Sequence, residues 1–353
     1  MKVLFRQPFP NLKINSSRML RNQSHKPVML EQAIKYLNPK NGHNFLDMTF
    51  GAGGHTERIL QENNSAVVYC LDRDPTAYSI AQKFSLQYPN RVVSLKGKFS
   101  DLPTLLKKFD CKMNSFDGIL FDFGASSMQF DTASRGFAIS KNGPLDMRMD
   151  PEENILTAAD ILAKADQTDL YKIFKIYGEE KHSKKIANAI IESRYLFRPL
   201  KTTYDLCELV KNVCDNEKRF DMLHRLAHPA TKIFQALRIF VNNELNEINH
   251  GIILANHYLK IGGIMVTIAF HSLEDTIVKR HIQGNVNENV ANVLPLKYKT
   301  SPIHMNSSND FLNVINDNCW HQVNKHVVTP TIDEVEENPR SRSARLRAAI
   351  KIK

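Results

Sequence analysis

The sequence lacks two features that define common classes of protein. It has only five cysteines, and no two of them form a CxxC pair. This odd number predicts reduced thiols and provides neither a disulfide framework nor a cysteine zinc site, so we expect no bound metal. No apolar run approaches the roughly 20 residues that a membrane-spanning helix needs, so we expect a soluble protein without a membrane partner.

Acidic residues are missing from both ends of the chain. The formal net charge is +10, yet residues 1–30 and residues 340–353 each carry six Lys or Arg and no Asp or Glu. Without these twelve, 35 basic residues stand against 37 acidic ones, so the basic character belongs to the ends. The C-terminal cluster could bind phosphates or form a solvated helix face. It consists of Arg340, Arg342, Arg345 and Arg347.

Residues 1–23 have the composition of a mitochondrial transit peptide. Lys and Arg are spread there among apolar, Ser and Asn residues, without a carboxylate and without the long apolar segment of a secretory signal. We therefore predict import into the mitochondrial matrix. A disordered basic tail is the alternative interpretation.

The glycine-rich stretch from Asp47 to Thr56 lacks one glycine. It reads Asp-Met-Thr-Phe-Gly-Ala-Gly-Gly-His-Thr between an apolar segment and a helical pattern, which predicts a strand, a turn and a helix. A dinucleotide fingerprint needs glycines at its first, third and sixth positions, and counting from Gly51 the sixth is Thr56. This disfavours a nicotinamide-dependent oxidoreductase. The glycines still admit a ligand close to the backbone, and Asp72, at the end of the next strand, can accept ribose hydroxyls.

Strand and helix patterns alternate over the first third of the chain. Apolar segments bounded by turn signals predict strands at 44–46, 67–72, 91–95 and 116–124, with helical patterns between them. This alternation predicts an α/β fold with a mostly parallel sheet whose ligands bind at the carboxyl ends of the strands. A single long helix from Ile233 to about Leu259 and a fifth strand at 263–270 complete the pattern.

Between about residue 150 and residue 228 the alternation gives way to helical patterns alone. The predicted helices are Ile155–Ala165, Leu170–Tyr177, Lys184–Tyr195 and Tyr204–Cys214, with Thr168, Ser183 and Thr202 as predicted N-caps. We predict an all-helical domain at 141–228, inserted into a core formed by 24–140 and 229–353. Residues 285–318 are Asn-rich and are predicted to be loop or partly disordered.

A dense polar block follows the fourth strand, and its motifs carry a resemblance. The block contains Asp122-Phe-Gly-Ala-Ser-Ser-Met-Gln129, Arg135-Gly-Phe137 and Gly143-Pro-Leu-Asp-Met-Arg-Met-Asp150. Together with the glycine-rich stretch, Asp72-Arg-Asp-Pro75, Phe234-Gln-Ala-Leu-Arg-Ile239 and Phe270-His-Ser-Leu-Glu-Asp275, it resembles the MraW/RsmH family of small-subunit ribosomal RNA cytosine-N4 methyltransferases. The resemblance runs from His25 to Arg347 and is weak over 285–326. The N-terminal composition points to the mitochondrial, methyltransferase-like protein 15 type of this family.

The resemblance implies the class I methyltransferase fold, which is Rossmann-like, and S-adenosylmethionine as the cofactor. Its cofactor-binding positions fall on the glycine turn, on the acids that end two strands, and on residues after the third and fourth strands. They are Gly53, Gly54, His55, Asp72, Phe99, Asp122 and Gln129. Phe99 is expected to lie against the adenine, although core packing is the ordinary role of such a residue. A local hydrogen bond at the helix start is the alternative for His55.

The implied reaction needs a group that accepts the hydrogens of a weakly nucleophilic exocyclic amine. Asp122 heads the loop where related amino-methyltransferases hold this acceptor, but it cannot easily serve both cofactor and substrate. The wider catalytic candidates are therefore Asp122, Ser126, Ser127, Asp146 and Arg148. Phe123 or Phe137 could face the unstacked target base, with core packing as the alternative.

Two further features each have two interpretations. His271, after the fifth strand, could be catalytic, or the segment could be a helix start capped by Ser272 with Asp275 reaching back. Basic residues of the helical segment could hold RNA phosphates or form a solvated face; they are Lys181, Lys184, Lys185, Arg194, Arg198 and Lys201. The expected partner is small-subunit rRNA or an assembling small subunit, and a homodimer is left open. An assembly factor that acts mainly by binding is the competing function.

Overall fold

The computed structural model describes most of the chain. The described residues are 26–39, 44–196, 199–214, 219–220, 226–284 and 319–353. The predicted transit peptide, the predicted loop at 285–318 and Arg198 lie outside them. Among the helices that the structure describes, none combines the length and the apolar character needed to cross a bilayer.

The described residues form nine strands. They are β1 (Asn44–Asp47), β2 (Val67–Asp72), β3 (Val92–Lys96), β4 (Phe116–Asp122), β5 (Arg219–Phe220), β6 (Leu226–Ala227), β7 (Leu259–Ala269), β8 (Trp320–Gln322) and β9 (Arg345–Lys351). Seven make one sheet in the order β3-β2-β1-β4-β7-β9-β8, while β5 and β6 form a separate antiparallel hairpin. The first five strands of this order are parallel, and β9 runs antiparallel to both of its neighbours. The predicted α/β class with a mostly parallel sheet is confirmed.

The strand order reverses at β1. The chain moves from β1 outward to β2 and β3 and then returns to the opposite side of β1 with β4. At such a reversal the connections leave in opposite directions, and a crevice opens at the carboxyl ends of the strands. Asp47 ends β1 and Asp122 ends β4, so both acids lie at this crevice.

Helices cover the sheet and fill the segment between β4 and β7. The described helices are α1 (Leu30–Leu37), α2 (Gly54–Glu62), α3 (Pro75–Gln87), α4 (Leu102–Lys107), α5 (Ser127–Asp131), α6 (Ala158–Lys164), α7 (Gln167–Ile176), α8 (Ser183–Tyr195), α9 (Thr203–Val213), α10 (Thr231–Asn242), α11 (Glu244–Tyr258), α12 (Ser272–Ile282) and α13 (Ile332–Glu337). Short 3₁₀ helices cover Phe99–Asp101, Ala133–Arg135 and Pro339–Ser343.

The predicted helix caps in the segment between β4 and β7 are correct in one case of three. Thr202 caps α9 as predicted and accepts a hydrogen bond from the backbone of Asp205. The cap of α7 is Asp166 rather than Thr168, and Ser183 is the first residue of α8 rather than its cap. The hairpin of β5 and β6 was not expected from the helical patterns.

One apolar cluster joins the helices α6 to α9 to the main sheet. Phe174 of α7 and Leu206 of α9 belong to the same buried cluster as Leu46 of β1 and Phe121 of β4. The helical segment is therefore packed into the core that supports the crevice. Its predicted boundaries as an inserted domain, at 141 and 228, stay a prediction.

One prediction about the last third of the chain is wrong, and for two residues of the C-terminal cluster one of the two interpretations does not hold. The long helix expected from Ile233 is two helices, because Asn243 adopts a left-handed conformation (φ 52°) between α10 and α11. Asn tolerates this conformation better than most side chains, so the break needs no glycine or proline. In addition, Arg345 and Arg347 lie on the strand β9 rather than on a helix face, and the Arg347 guanidinium donates to the Asp275 carboxylate at 2.7 and 3.0 Å.

Candidate functional site

A cavity of about 1260 Å³ opens at the carboxyl ends of the parallel strands. It is lined by the glycine turn after β1, by Asp72 at the end of β2, by Phe99 after β3 and by the loop that follows Asp122. Part of its wall comes from α9 and α10 and from the 3₁₀ helix Pro339–Ser343. The elements that the sequence motifs predicted separately thus meet at one place.

The glycine turn is shaped by two positive φ angles. Gly51 (φ 55°) donates its backbone N–H to Asp72 Oδ2 at 2.8 Å, which ties the turn to the end of β2. At Gly53 (φ 84°) the rings of Phe50 and Phe84 occupy the space that a side chain would need, and an added Cβ would lie 2.6 Å from the Phe50 ring. Gly53 is therefore not among the residues that line the cavity, whereas Gly54, at the start of α2, is.

A buried hydrogen-bond frame holds the ends of β1 and β4 together. Asp47 accepts hydrogen bonds from the Thr49 backbone at 3.1 Å and from the Thr56 hydroxyl at 2.7 Å. The Thr49 hydroxyl in turn accepts the backbone N–H of Asp122 at 2.6 Å. Burial raises the pKa of Asp47 to about 6, and its hydrogen bonds from Thr56 and Thr49 act in the opposite direction. Asp47 itself does not line the cavity, so its role is to position the loop around it.

Asp72 keeps capacity for a ligand. Its Oδ1 accepts the backbone N–H of Asp74 at 2.9 Å, and its Oδ2 accepts that of Gly51. A carboxylate offers about four acceptor sites, so roughly two stay available on the side chain that faces the cavity. Burial, opposed by these two hydrogen bonds, raises the pKa of Asp72 to about 6. The arrangement fits the predicted task of accepting ribose hydroxyls.

Phe99 forms an apolar wall of the cavity. Its ring packs edge-on against Phe121, with 5.5 Å between ring centroids, and lies 6.4 Å from Phe123. Gly251 of α11 allows this position, because an added Cβ would come within 2.9 Å of the Phe99 ring. A fixed aromatic side chain that lines a cavity beside a ribose-binding acid suits the predicted contact with an adenine ring.

His55 and Gln129 line the cavity from polar positions that are themselves buried. The His55 Nε2 lies 3.1 Å from the Val28 carbonyl oxygen, so the ring links α2 to the segment before α1. The Gln129 side chain accepts the Ser126 backbone N–H at 3.0 Å and donates to Asp74 Oδ2 at 2.7 Å. Gln129 thereby fixes the loop after β4 against the start of α3.

The catalytic candidates divide into two groups. Asp122, Ser126 and Ser127 line the cavity, and Ser126 caps α5 by accepting the Gln129 backbone N–H. Asp146 and Arg148 do not line it. They form a bidentate ion pair, with Arg148 Nη2 2.7 Å from Asp146 Oδ2 and Arg148 Nε 2.8 Å from Asp146 Oδ1. Their placement favours a structural role in the loop before α6.

Asp122 is the acid at the crevice with an unsatisfied atom. Its Oδ1 is buried and has no hydrogen-bond partner among the described residues. Burial, together with the charges of Asp47 and Glu274, raises the pKa of Asp122 well above its usual range. A buried oxygen without a donor costs free energy, so it marks a position where a ligand would supply the donor. Phe123 and Phe137, proposed as base contacts, are both buried and both line the cavity.

His271 lies at the start of α12, but the cap differs from the prediction. The cap is His271 itself rather than Ser272, and the residue that reaches back is Glu274 rather than Asp275. His271 Nε2 also lies 2.9 Å from Glu274 Oε1. Burial acts to raise the pKa of Glu274, but His271 and Arg238 outweigh it and lower this pKa below its usual value.

The motif from Phe234 to Ile239 is part of the family resemblance, but the sequence did not predict a role for Arg238 within it. The Arg238 guanidinium donates to both oxygens of Glu244 at 2.9 Å and lies 3.7 Å from Glu274. Arg238, Glu244 and His271 line the cavity. The signal was an arginine between apolar residues of a helix, Leu237 and Ile239, since a charge at such a position is buried only when it is paired.

Glu244, His271 and Glu274 also satisfy a geometric condition for a metal site, with one ligand atom from each within 4.8 Å of the others. The guanidinium of Arg238 already donates to Glu244 and faces Glu274. The positive charge in this cluster is therefore supplied by the protein. The sequence-based expectation of no metal stays a prediction.

The basic residues of the helical segment do not line the cavity where the structure describes them. Lys184, Lys185 and Lys201 are exposed. Arg194 instead donates to the carbonyl of Leu162, so this side chain holds α8 against α6. At the C-terminal cluster, Arg340 and Arg342 do line the cavity, whereas Arg347 is paired with Asp275.

The fold and the site together define a class I methyltransferase that uses S-adenosylmethionine. The parallel sheet reverses at β1, the glycine turn and Asp72 are placed for a nucleoside, and Asp122 and Phe99 complete a cavity that fits this cofactor. A model of the MraW methylase family matches residues 22–352. The chain belongs to this family, as its motifs predicted.

Named relatives are consistent with the family. "Probable methyltransferase-like protein 15 homolog" of Drosophila melanogaster is 53% identical over 330 residues, which cover 93% of this chain and 92% of that protein. "12S rRNA N(4)-cytidine methyltransferase METTL15" of Mus musculus is 46% identical over 336 residues, which cover 93% of this chain and 82% of that protein.

A third relative is much longer than this chain. It is "Putative receptor-type tyrosine-protein phosphatase mosPTP-1" of Culex quinquefasciatus, which is 54% identical over 349 residues. The match covers 98% of this chain but only 23% of that protein. The activity in its name therefore does not carry over to this chain.

Proposed function

We propose that this protein transfers a methyl group from S-adenosylmethionine to N4 of a cytidine in small-subunit ribosomal RNA. The observation that carries the proposal is the unsatisfied Oδ1 of Asp122, buried at the end of β4 in a cavity with a nucleoside-binding wall. Family membership supplies the reaction type, and the relative from Mus musculus is named for this modification of 12S rRNA.

The chemistry explains why such an oxygen is needed. The lone pair of the cytosine amine is delocalised into the ring, so this nitrogen is a poor nucleophile until its hydrogens are held by an acceptor. Asp122 Oδ1 can accept one of these N–H groups, and its raised pKa makes it a stronger base for the proton that the product nitrogen must lose. When bound, the cofactor supplies an electrophilic methyl group on a sulfonium centre.

The other residues of the site position the reactants. Asp72, Phe99 and the start of α2 at Gly54 would hold the adenosine and methionine parts of the cofactor. Thr49 holds the backbone of Asp122, and Gln129 holds the loop that follows it. Positioning of this kind carries most of the rate enhancement in a transfer that needs three atoms in line.

We further propose that the protein acts in the mitochondrial matrix and that residues 141–228 form an inserted domain that helps to hold the RNA. The composition of residues 1–23 supports the first proposal. The second is supported by the position of α9, from which Tyr204 and Cys207 reach the cavity wall. Fusion of residues 1–30 to a fluorescent protein tests the location, and a cytosolic signal would contradict it.

One experiment tests the function directly. N4-methylcytidine is mapped in mitochondrial small-subunit rRNA from cells with and without the protein, and the cells that lack it are rescued with the wild type or with Asp122→Asn. We expect one methylated cytidine to disappear and to return only with the wild type. An unchanged map would contradict the proposed activity. If Asp122→Asn restores ribosome maturation without the methyl group, the protein acts as a binding factor instead.

A further inference from the structure

The guanidinium of Arg238 has one nitrogen to which no described residue is hydrogen-bonded. Nε and Nη2 donate to the two oxygens of Glu244 at 2.9 Å, and Nη2 also lies 3.7 Å from Glu274. Nη1 makes no hydrogen bond with any described residue. Because Arg238 lines the cavity, this nitrogen is a donor available to a ligand.

The unused donor lies beside the loop that follows Asp122. A Cβ built on Gly124 would be 3.5 Å from Arg238 Nη1 and 3.7 Å from Glu274 Oε1. Gly124 has a φ of 91°, which favours glycine, and its missing side chain leaves the guanidinium next to the backbone at the end of β4. The donor at Arg238 thus lies beside Gly124, which follows the acceptor Asp122 by two residues, and both side chains line the same cavity.

The orientation of Arg238 is fixed by its partners. Burial acts to lower the pKa of Arg238, but the charges of Glu244 and Glu274 outweigh it and raise this pKa. Glu274 is held by the backbone N–H of Phe270 at 2.6 Å, at the start of α12. A planar guanidinium held on one edge by two carboxylates presents its remaining edge in a defined direction.

We propose that Arg238 is a specificity-determining residue that reads the target base as cytosine, a proposal that rests on the proposed function. Asp122 accepts a hydrogen from N4, and Arg238 Nη1 donates to the acceptor N3 on the same edge of the ring. Uracil presents the reverse pattern, with an acceptor at O4 facing Asp122 and a donor at N3 facing Arg238. A site with fixed donors and acceptors rejects such a reversed edge, because its buried polar groups are then left unpaired.

The test compares binding of cytidine 5′-monophosphate and uridine 5′-monophosphate to the protein loaded with S-adenosylmethionine, measured by ligand-observed NMR. The variants are Arg238→Gln and Arg238→Lys. The matched control is Arg347→Lys, which alters a similarly buried bidentate pair, with Asp275, that does not line the cavity. Calorimetry of S-adenosylmethionine binding shows whether each variant keeps its cofactor site.

We expect the wild type and the control to favour the cytidine nucleotide by about 10-fold or more. Arg238→Gln should lose this preference and keep its affinity for S-adenosylmethionine, and Arg238→Lys, which keeps the charge but not the planar edge, should retain only part of the preference. Loss of cofactor affinity with an unchanged base preference would assign Arg238 to the cofactor and overturn the proposal. Equal binding of both nucleotides by the wild type would overturn it even if no variant folds.

The two proposals fail in different ways. If the cytidine preference depends on Arg238 but loss of the protein leaves the rRNA methylation map unchanged, base recognition stands and the proposed activity is contradicted. If the protein methylates a cytidine but shows no nucleotide preference, the proposed activity stands and the role of Arg238 is contradicted.

Discussion

Asp72 and Asp122 both end a strand at the crevice, yet their surroundings give them different tasks. Asp72 accepts two backbone N–H groups at 2.8 and 2.9 Å, so it is held as a charged acceptor for further hydroxyls. Asp122 has a buried oxygen to which no residue in the described part of the chain donates. The first arrangement suits a permanent ligand-binding acid, and the second suits an acceptor whose partner arrives with the substrate.

Cofactor affinity should depend on pH through Asp72. Its pKa is raised to about 6, so its carboxylate is ionised above that pH and becomes protonated as the pH falls through it. We expect affinity for S-adenosylmethionine, measured by calorimetry between pH 5 and 8, to weaken below about pH 6. Asp72→Asn should bind weakly at every pH. Asp47 also has a pKa raised to about 6 but does not line the cavity, so Asp47→Asn should keep the pH dependence of cofactor affinity. If the affinity of Asp47→Asn does not change with pH, the dependence is due to Asp47 instead.

Substitution of Gly53 should reduce stability more than cofactor affinity. Gly53→Ala adds a Cβ 2.6 Å from Phe50 at a φ of 84°, and we expect a loss of about 2–4 kcal/mol in the free energy of unfolding in urea. Gly262→Ala is the matched control, because Gly262 has a φ of 81° with open space around it, and about 1–2 kcal/mol is expected there. Equal losses in the two variants would show that the Phe50 ring moves aside without a measurable cost in the free energy of unfolding.

At the scale of the elements, Asp74 joins two of them around the cavity. Its Oδ1 caps α3 by accepting the Thr76 backbone N–H at 2.8 Å, while its Oδ2 accepts from Gln129 at 2.7 Å and pairs with Arg135 at 2.8 Å. Asp74 therefore holds the start of α3 and the loop after β4 together. The residue is almost fully buried, so both contacts are protected from water.

Asp74→Asn should uncouple these elements without removing the helix cap. The new amide keeps an oxygen for Thr76 but turns an N–H group toward two donors, and we expect a loss of about 2–4 kcal/mol in the free energy of unfolding. Asp131→Asn changes an exposed carboxylate paired with Arg340, and about 1 kcal/mol or less is expected there. Chemical denaturation measures both values. A similar small loss in both variants would mean that the Asp74 contacts are readily replaced by water.

The sequence predicted elements well where a local pattern and a tertiary role agree. The strands of the parallel sheet are buried on both faces, so their apolar runs were visible, and the acids at their ends marked the crevice. The break at Asn243 had no such signal, because no glycine or proline marks the left-handed backbone between α10 and α11. The strand β9 was missed because its arginines were interpreted as a charged cluster, and because its buried positions, which include the consecutive residues Ala348 and Ala349, do not alternate regularly.

The sequence motifs predicted which residues lie near the site, but they did not predict which charged side chains pair with each other. Asp72 and Asp122 could be identified from position, since each follows an apolar strand. The partners of Asp146 and Arg148 could not, because a carboxylate and a guanidinium two residues apart can face a ligand or each other. The contact of Arg238 with Gly124 and Glu274 joins residues far apart in the chain and follows only from the fold.

At the scale of the whole molecule, the helical segment and the sheet should unfold together. They share one apolar cluster, which also contains Trp320 on β8, the single tryptophan of the chain. We expect urea transitions followed by Trp320 fluorescence and by far-UV circular dichroism to coincide, as in a two-state process. Two separated transitions would show that the helices form an independent unit. Saturating S-adenosylmethionine should shift both signals together.

The position of β9 has a consequence for how the protein is made. This strand lies between β7 and β8, and it follows every other described element in the chain. Lys351 anchors its end by donating to the carbonyls of Asn256 and Leu259, and to the Asn114 side chain. Until residues 345–351 have emerged from the ribosome, one edge of β7 stays open for pairing with another chain. The parallel strands can therefore pair with one another before β9 is made, but the edge of β7 is covered only once residues 345–351 are available.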